Sequence, residues 1–171
     1  MVSLYLAFIA MIAAERVVEL VVSRSNAAWA GKHGAIEYGQ DHFAWMKAVH
    51  ASFLVACPLE VVVFDRPFVP LLGYPMLAVA VLAQVIRYWA VVSLGRRWNV
   101  RVLVIPGMPL VKSGPYRFMR HPNYLAVILE GLAVPLVHSA WITAVGFSGL
   151  NAWLLSIRIP IEERALLEHA G

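Results

Sequence analysis

Apolar runs long enough to cross a lipid bilayer constrain the fold of this chain more than any other feature. The predicted spans are residues 2–22, 42–64, 68–94, 122–137 and 141–157. A transmembrane helix needs about 20 mostly apolar residues. Hydrophobic residues make up 61% of the chain and charged residues 14%, whereas soluble domains are about half apolar and a quarter charged. We therefore predict an all-α integral membrane protein with about five transmembrane helices, forming a single domain over residues 1–171.

Polar connections of unequal length separate these apolar runs. Residues 23–41 contain three glycines and are predicted to form a loop or a surface-lying segment. Asp65-Arg66-Pro67 predicts a tight reversal, because proline lacks a backbone donor and disfavours helix in the preceding residue. The longest connection, residues 95–119, precedes the fourth span, and the tail from residue 160 is short, charged and compatible with helix.

The distribution of basic residues predicts how the chain lies in the membrane. Lys and Arg number 14 against 10 acidic residues, an excess that in a membrane protein indicates the positive-inside bias rather than a nucleic-acid partner. Residues 95–120 contain six cations, whereas the reversals at 65–66 and 138–140 contain one. We therefore expect the N-terminus outside and both residues 95–120 and the tail in the cytoplasm. The single cysteine, Cys57, excludes an intramolecular disulfide.

Several charged residues fall inside the predicted spans. Glu130 lies about 12 Å along the fourth helix from Pro122, near mid-bilayer, where an unpaired charge costs at least about 3 kcal/mol. Such a group has a partner, holds a proton or lines a wet cavity. A structural ion pair, for instance of Arg87 with Glu15 or Glu19, is one interpretation, and a contact with substrate is the other. For Glu130 we favour the wall of a cavity.

The stretch GPYRFMRHPNYLAVILEG, residues 114–131, places polar groups at the start of the fourth span. His121 lies at or next to the helix N-cap, where free N–H groups and the helix dipole favour an anionic group. Tyr116 and Tyr124 offer flat faces and hydroxyls suited to a purine or a ribose. Alternatively, the cations are topology anchors and the tyrosines belong to an interfacial aromatic belt.

The tail RIPIEERALLE offers a second polar group. Arg158 and Glu162 are spaced i, i+4 and share a helix face if the helix continues through Pro160. Because adjacent residues point in different directions, Glu163 faces elsewhere. A solvated amphipathic tail is the alternative interpretation.

Together the two segments resemble a known family. The order G-P-Y-R-x-x-R-H-P-x-Y, an apolar helix with an internal Glu, an apolar hairpin and R-x-x-x-E-E is similar to the isoprenylcysteine carboxyl methyltransferase family of integral membrane enzymes, over residues 94–168. Phospholipid N-methyltransferases share the R-H-P-x-Y and E-E elements. LGRRWNVRV and HGAIEYGQDHFAWMKAVH look like a small bacterial branch associated with lipidic phenols or pyrones from type III polyketide synthases. Ala126 departs from the glycine of many relatives.

The resemblance implies an enzyme that binds S-adenosylmethionine on the cytoplasmic side of a bacterial inner membrane. By that resemblance Arg158 and Glu162 are the catalytic pair beside the methyl-acceptor site. The implied cofactor-binding residues are Lys112, Ser113, Gly114, Pro115, Tyr116, His121, Tyr124 and Glu163. Glu130, His50 and Arg87 are assigned to the acceptor side, and no metal is expected.

The expected partners are membrane lipids and a lipid-like acceptor, which we predict to be a phenolic or enolic alkyl lipid of the alkylresorcinol or alkylpyrone type. If the acceptor is a phenol, Glu162, His121 or His50 could take its proton, in that order of preference. Methylation of a prenylcysteine carboxylate and N-methylation of an aminolipid are alternatives. A small membrane transporter that uses Glu130 and Arg87, or a juxtamembrane anchor, would belong to other classes. The oligomeric state is left open.

Overall fold

The computed structural model describes residues 1–169, apart from the side chain of His42, and consists mainly of helices. The elements are α1 (Val2–Lys32), β1 (Ile36–Tyr38), α2 (Gln40–Val63), α3 (Pro70–Leu94), β2 (Val102–Val104), α4 (Pro122–Leu136) and α5 (Trp141–His169). Two short 3₁₀ turns, Gly95–Arg97 and Gly114–Arg117, lie in the connection between α3 and α4. The prediction of an all-α membrane protein is confirmed.

Three stretches of helix are long and apolar enough to span a bilayer: Phe43–Val63, Pro70–Arg97 and Trp141–His169. The other two predicted spans differ from these. Helix α4 has 15 residues and is about 22 Å long, shorter than the hydrocarbon core of about 30 Å. Helix α1 has 31 residues but carries three charged side chains in its middle. Large apolar side chains such as Val92, which is 77% exposed, cover the outside of the bundle, as expected for a surface that faces lipid.

The structure corrects the prediction for residues 23–41, because α1 continues as helix to Lys32. Two buried side chains anchor this extension to the connection that follows α3. Ser23 Oγ donates to Asn99 Oδ1 at 3.0 Å, and Asn26 Nδ2 donates to the Trp98 carbonyl at 2.8 Å. The polar residues that suggested a loop are therefore helical, and their side chains bond residues 76 and 72 positions away in the chain.

A two-stranded sheet closes this end of the molecule. Strands β1 and β2 pair antiparallel, with Ile36 opposite Val104 and Tyr38 opposite Val102. The ion pair between Arg101 and Glu37, at 3.1 Å, crosses the same junction. The α1–α2 connection is thereby joined to the polar connection between α3 and α4.

The core lies at the other end of the helices. Tyr5 and Ile9 of α1 pack in one buried cluster with Phe53 and Cys57 of α2 and with Val134 of α4. Tyr5 donates a hydrogen bond to the carbonyl of Val134 at 3.3 Å. Helix α4 is buried along most of its length. Its packing therefore fixes the position of the chain segments just before and just after it.

Helix α5 begins with a carboxylate cap supplied by α2. Glu60 Oε2 accepts hydrogen bonds from the Thr143 backbone N–H at 2.6 Å and from its hydroxyl at 2.8 Å, and Oε1 accepts from the Ile142 N–H at 3.1 Å. A negative charge at a helix N-terminus is stabilised by free N–H groups and the helix dipole. The helix then runs through Pro160 to His169, so the predicted span 141–157 and the tail form one continuous helix.

Candidate functional site

A cavity of about 680 Å³ lies at the end of the bundle that carries the sheet, and it is lined by α1, the α3–α4 connection, the start of α4 and the tail of α5. Pockets for small molecules and cofactors measure about 300–1,000 Å³. Both conspicuous segments of the sequence, residues 114–124 and residues 158–163, contribute to it. The two segments, which are separated in the sequence, thus lie at the same cavity.

Charge is unevenly distributed around the cavity. Its cations are Arg96, Arg97, Arg101, Lys112, Arg117, Arg120 and Arg158. Two carboxylates, Glu162 and Glu163, line the side formed by α5. This arrangement can bind a ligand that has both an acidic and a cationic group, with the cationic group toward α5.

Tyr124 joins the two residues predicted to be catalytic. Its hydroxyl accepts a hydrogen bond from Arg158 Nε at 2.8 Å and donates a short hydrogen bond to Glu162. The guanidinium also lies over the tyrosine ring, 5.8 Å from the centroid. Because α5 remains helical through Pro160, Arg158 and Glu162 share the face that meets α4, as the i, i+4 spacing predicts.

Glu163 points to a different partner, as expected for a neighbour of Glu162. His121 Nε2 lies 3.3 Å from Glu163 Oε1, and Arg120 Nη1 lies 3.5 Å from the same oxygen. The imidazole of His121 stacks on the ring of Tyr124, with centroids 5.2 Å apart. The first turn of α4 and the tail of α5 are thus joined by two polar contacts side by side, Tyr124 with Glu162 and His121 with Glu163.

The five residues predicted from Lys112 to Tyr116 have different positions. Lys112 and Tyr116 line the cavity, and burial, with the charge of Glu162 as a smaller cause, raises the pKa of the Tyr116 hydroxyl above its usual value. Pro115 is buried, and Gly114 packs against α3. Ser113 is exposed and is not among the residues that line the cavity. The cofactor roles predicted for Ser113, Gly114 and Pro115 stay predictions.

Two of the residues assigned to the acceptor side, Arg87 and Glu130, pair with each other in the bundle interior through a short contact. Arg16 Nη2 lies 3.4 Å from Glu130, and Arg16 Nη1 lies 2.7 Å from Glu19. Glu19 is also 3.9 Å from Arg87. The structural ion pair of Arg87 with Glu19, one interpretation of the sequence, is therefore present, but the nearest acidic partner of Arg87 is Glu130. Neither Arg87 nor Glu130 is among the residues that line the cavity of about 680 Å³.

His50, the third residue assigned to the acceptor side, is bonded within its own helix. Its Nδ1 lies 2.8 Å from the carbonyl of Met46, and its ring meets the edge of Phe147. This environment matches a histidine whose hydrogen bond is satisfied locally. The structure does not bring His50 to the Tyr124–Arg158 contact, and its role at the acceptor site stays a prediction.

Sequence reasoning did not single out Asn123, although it lines the cavity between His121 and Tyr124. Its Oδ1 is buried without a hydrogen-bond partner among residues 1–169. A buried carbonyl without a partner costs about 1–3 kcal/mol, so this atom is a candidate acceptor for a ligand donor. Residue 123 occupies the variable position of the R-H-P-x-Y motif, which gave no signal for it.

Apolar helices long enough to cross a bilayer, with a polar cavity of ligand size at one end, define the class of integral membrane proteins. The model of the isoprenylcysteine carboxyl methyltransferase family matches residues 76–168, which contain α4, α5 up to residue 168 and all of the cavity wall except Asn26 and Ala30. The chain belongs to this family of membrane methyltransferases.

Individual relatives agree with the family match. The uncharacterized protein YpbQ of Bacillus subtilis strain 168 is 43% identical over 163 residues, covering 95% of this chain and 96% of that protein. A probable protein-S-isoprenylcysteine O-methyltransferase of Oryza sativa subsp. indica is 30% identical over 101 residues, 58% of this chain and 53% of the rice protein. Protein-S-isoprenylcysteine O-methyltransferase B of Arabidopsis thaliana is 26% identical over 97 residues, 49% of its length. The chain thus matches about half of each plant enzyme.

Proposed function

We propose that this protein is an S-adenosylmethionine-dependent O-methyltransferase that acts on a lipophilic acceptor at the cytoplasmic face of a bacterial inner membrane, with its N-terminus outside. The observation that carries the proposal is the Tyr124 hydroxyl, which links Arg158 and Glu162 at the wall of a cavity of about 680 Å³. Family membership supports the reaction class, and the grouping of cations around residues 95–120 supports the orientation.

The residues around the cavity fit the proposed cofactor. Glu163 offers an acceptor for an ammonium group, and the cations of the connection offer donors for a carboxylate. Tyr116 offers an aromatic face, and the unpartnered Asn123 Oδ1 can accept from a ribose hydroxyl or an amino group. When bound, S-adenosylmethionine supplies a methyl group already activated by a sulfonium centre.

The chain's own residues then have mainly to position the acceptor and exclude water. Arg158 orients the acidic oxygen of the acceptor and stabilises its negative charge. A phenol has a pKa of about 10, so its proton must leave during or before methyl transfer, and Glu162 is the group we assign to take it. A carboxylate acceptor is already anionic and would need Arg158 alone.

We favour a phenolic or enolic alkyl lipid of the alkylresorcinol or alkylpyrone type as the acceptor. The resemblance of LGRRWNVRV and HGAIEYGQDHFAWMKAVH to the bacterial branch associated with lipidic phenols or pyrones supports this choice, and Glu162 offers the proton acceptor that a phenol needs. Methylation of a prenylcysteine carboxylate is the alternative, and the names of the plant relatives favour it. N-methylation of an aminolipid would gain nothing from the cationic Arg158.

Methyl transfer from labelled cofactor in isolated membranes tests the proposal. Pentadecylresorcinol, N-acetyl-S-farnesylcysteine and phosphatidylethanolamine serve as acceptor probes. Arg158→Lys should remove transfer, because a point charge cannot reproduce the fork of donors. Arg164→Lys is the matched control, since Arg164 is exposed and outside the cavity.

The probes also distinguish the acceptor classes. Glu162→Gln should abolish methylation of the resorcinol, whereas it should preserve transfer to a carboxylate. A labelled farnesylcysteine ester as the only product would refute the phenolic assignment. If wild-type membranes transfer no label to any probe or to a total lipid extract, the enzymatic proposal itself fails.

A further inference from the structure

Arg158 lies between the large cavity and a second, much smaller one. The small cavity has a volume of about 20 Å³, enough for about one water molecule. Its walls include Phe43 and Met46 of α2 and Leu154 and Ile161 of α5. Arg101 and Arg158 line both cavities. The two cavities therefore adjoin at these residues, so a group held in the small cavity lies next to the polar site.

The donors of Arg158 have partners of unequal strength. Nε donates to the Tyr124 hydroxyl at 2.8 Å and Nη2 to the carbonyl of Val100 at 2.6 Å. Nη1, however, lies 2.8 Å from the sulfur of Met46. A thioether is a weak acceptor, whereas a guanidinium forms its strongest hydrogen bonds with anionic oxygens. One donor of this charged group is thus directed at an atom that satisfies it poorly.

The surroundings of Met46 match an amphiphile rather than a water-soluble anion. Leu154 is 5% exposed and, with Phe43 and Ile161, gives the small cavity an apolar wall. Arg101 lies over the ring of Phe43, 5.2 Å from its centroid, and is paired at 3.1 Å with Glu37, which also lines the small cavity. The cavity lies where α2 begins and where α5 leaves the span predicted to end at residue 157, at the level of the lipid headgroups.

We propose that this small cavity is the closed acceptor site and that the sulfur of Met46 occupies the position of the acceptor's acidic oxygen. Movement of the Met46 side chain admits the headgroup of the lipid between α2 and α5, next to Arg158. The exchange replaces a weak contact to sulfur by a charge-assisted hydrogen bond. Methionine suits this role because its unbranched side chain changes conformation easily. The inference rests on the proposed function and adds the entry route and the residue that controls it.

Two substitutions of Met46 should act in opposite directions. Met46→Trp overfills the small cavity and should raise the KM for pentadecylresorcinol by about tenfold or more, with little change in cofactor affinity. Met46→Ala leaves the space open and should lower that KM. Ala48→Trp adds the same ring at an exposed position of α2 outside the cavity and serves as the control for bulk alone.

Binding of tritiated pentadecylresorcinol and of N-acetyl-S-farnesylcysteine to the detergent-solubilised full chain, without cofactor, gives a readout independent of turnover. Met46→Trp should lose binding of both probes, and Ala48→Trp should retain it. Wild-type binding of both probes by Met46→Trp would overturn the inference while leaving the methyltransferase proposal intact. Failure of the wild-type chain to bind cofactor would instead overturn the proposed function, and the acceptor site with it.

Discussion

Arg158 of α5 donates a hydrogen bond of 2.8 Å from its Nε to the hydroxyl of Tyr124 on α4. This contact joins residues 34 positions apart and ties the tail of the chain to the first turn of the buried helix. The same hydroxyl donates to Glu162. A single phenolic oxygen thus sets the relative position of the cation and the carboxylate to which we assign the acceptor chemistry.

Removing that oxygen should impair the reaction without removing either charged group. In Tyr124→Phe the ring is retained, but Arg158 and Glu162 lose their shared partner. We expect kcat to fall by about ten- to a hundredfold, with a smaller change in cofactor affinity, measured by steady-state methyl transfer and by equilibrium binding. Tyr74→Phe, at an exposed position of α3, should behave as wild type. An unchanged kcat in Tyr124→Phe would contradict the role assigned to this hydroxyl.

The unpartnered oxygen of Asn123 predicts a substitution that lowers cofactor affinity without lowering the stability of the protein. Asn123→Ala removes a buried acceptor that has no partner among residues 1–169, so the protein should be as stable as wild type or slightly more stable. Cofactor affinity should fall by about tenfold, as for the loss of one hydrogen bond in a dry site. Thermal unfolding and isothermal titration measure the two effects. Lower stability with unchanged affinity would show that this oxygen serves the fold.

Gly114 is required by the approach of the connection to α3. Its φ is +60°, and a Cβ at this position would lie 2.9 Å from Cβ of Ser93 and 3.2 Å from the indole nitrogen of Trp89. Gly114→Ala should therefore destabilise the protein by about 2 kcal/mol, measured by thermal unfolding in detergent. Gly146→Ala in α5, where an added Cβ would have no side chain or distant backbone of the described residues within 4 Å, is the control and should be neutral or slightly stabilising. Equal melting temperatures for the two variants would contradict this account.

The interior ion network predicts that Glu130 matters mainly for stability. Glu130→Gln leaves the buried Arg87 with a weaker partner and should cost about 3–5 kcal/mol, measured by denaturant unfolding in micelles. The double variant Arg87→Met/Glu130→Leu removes both charges and should recover most of that loss. If Glu130→Gln instead keeps its stability but loses acceptor binding, Glu130 belongs to the acceptor side, as the sequence predicted.

The cap supplied by Glu60 predicts a second effect on stability, at the opposite end of α5. Glu60→Gln replaces a charged acceptor of three hydrogen bonds to Ile142 and Thr143 and should cost about 1–2 kcal/mol. Arg66→Met leaves those three bonds in place and should cost less. Helix α5 carries Arg158, so hydrogen exchange along α5 is the informative measurement. Unchanged protection of residues 141–145 in Glu60→Gln would contradict the cap.

Sequence reasoning was most successful where a local pattern of residues is compatible with only one structure. Long apolar runs have to lie in lipid as helices, so the bundle and the order of its spans followed from hydropathy. The i, i+4 spacing of Arg158 and Glu162 was enough to place both on one helix face, and the two polar motifs carried the family. Contacts between distant segments could not be read in this way. The continuation of α1 to Lys32 depends on Ser23 and Asn26 bonding residues beyond α3, and no local pattern reports such partners.

The sequence by itself therefore determined that the chain lies in a membrane, that it is helical and to which family it belongs. Hydropathy and the motifs are properties of residues close together in the sequence. Only the tertiary structure decided that Arg87 pairs with Glu130, that the Oδ1 of Asn123 has no partner within residues 1–169 and that Met46 lies against Arg158. Each of these depends on the approach of side chains from different helices. Packing decides which of many possible side-chain pairs form, through the distance between the side chains and their burial. Neither the distance nor the burial can be read from the positions of the two residues in the sequence.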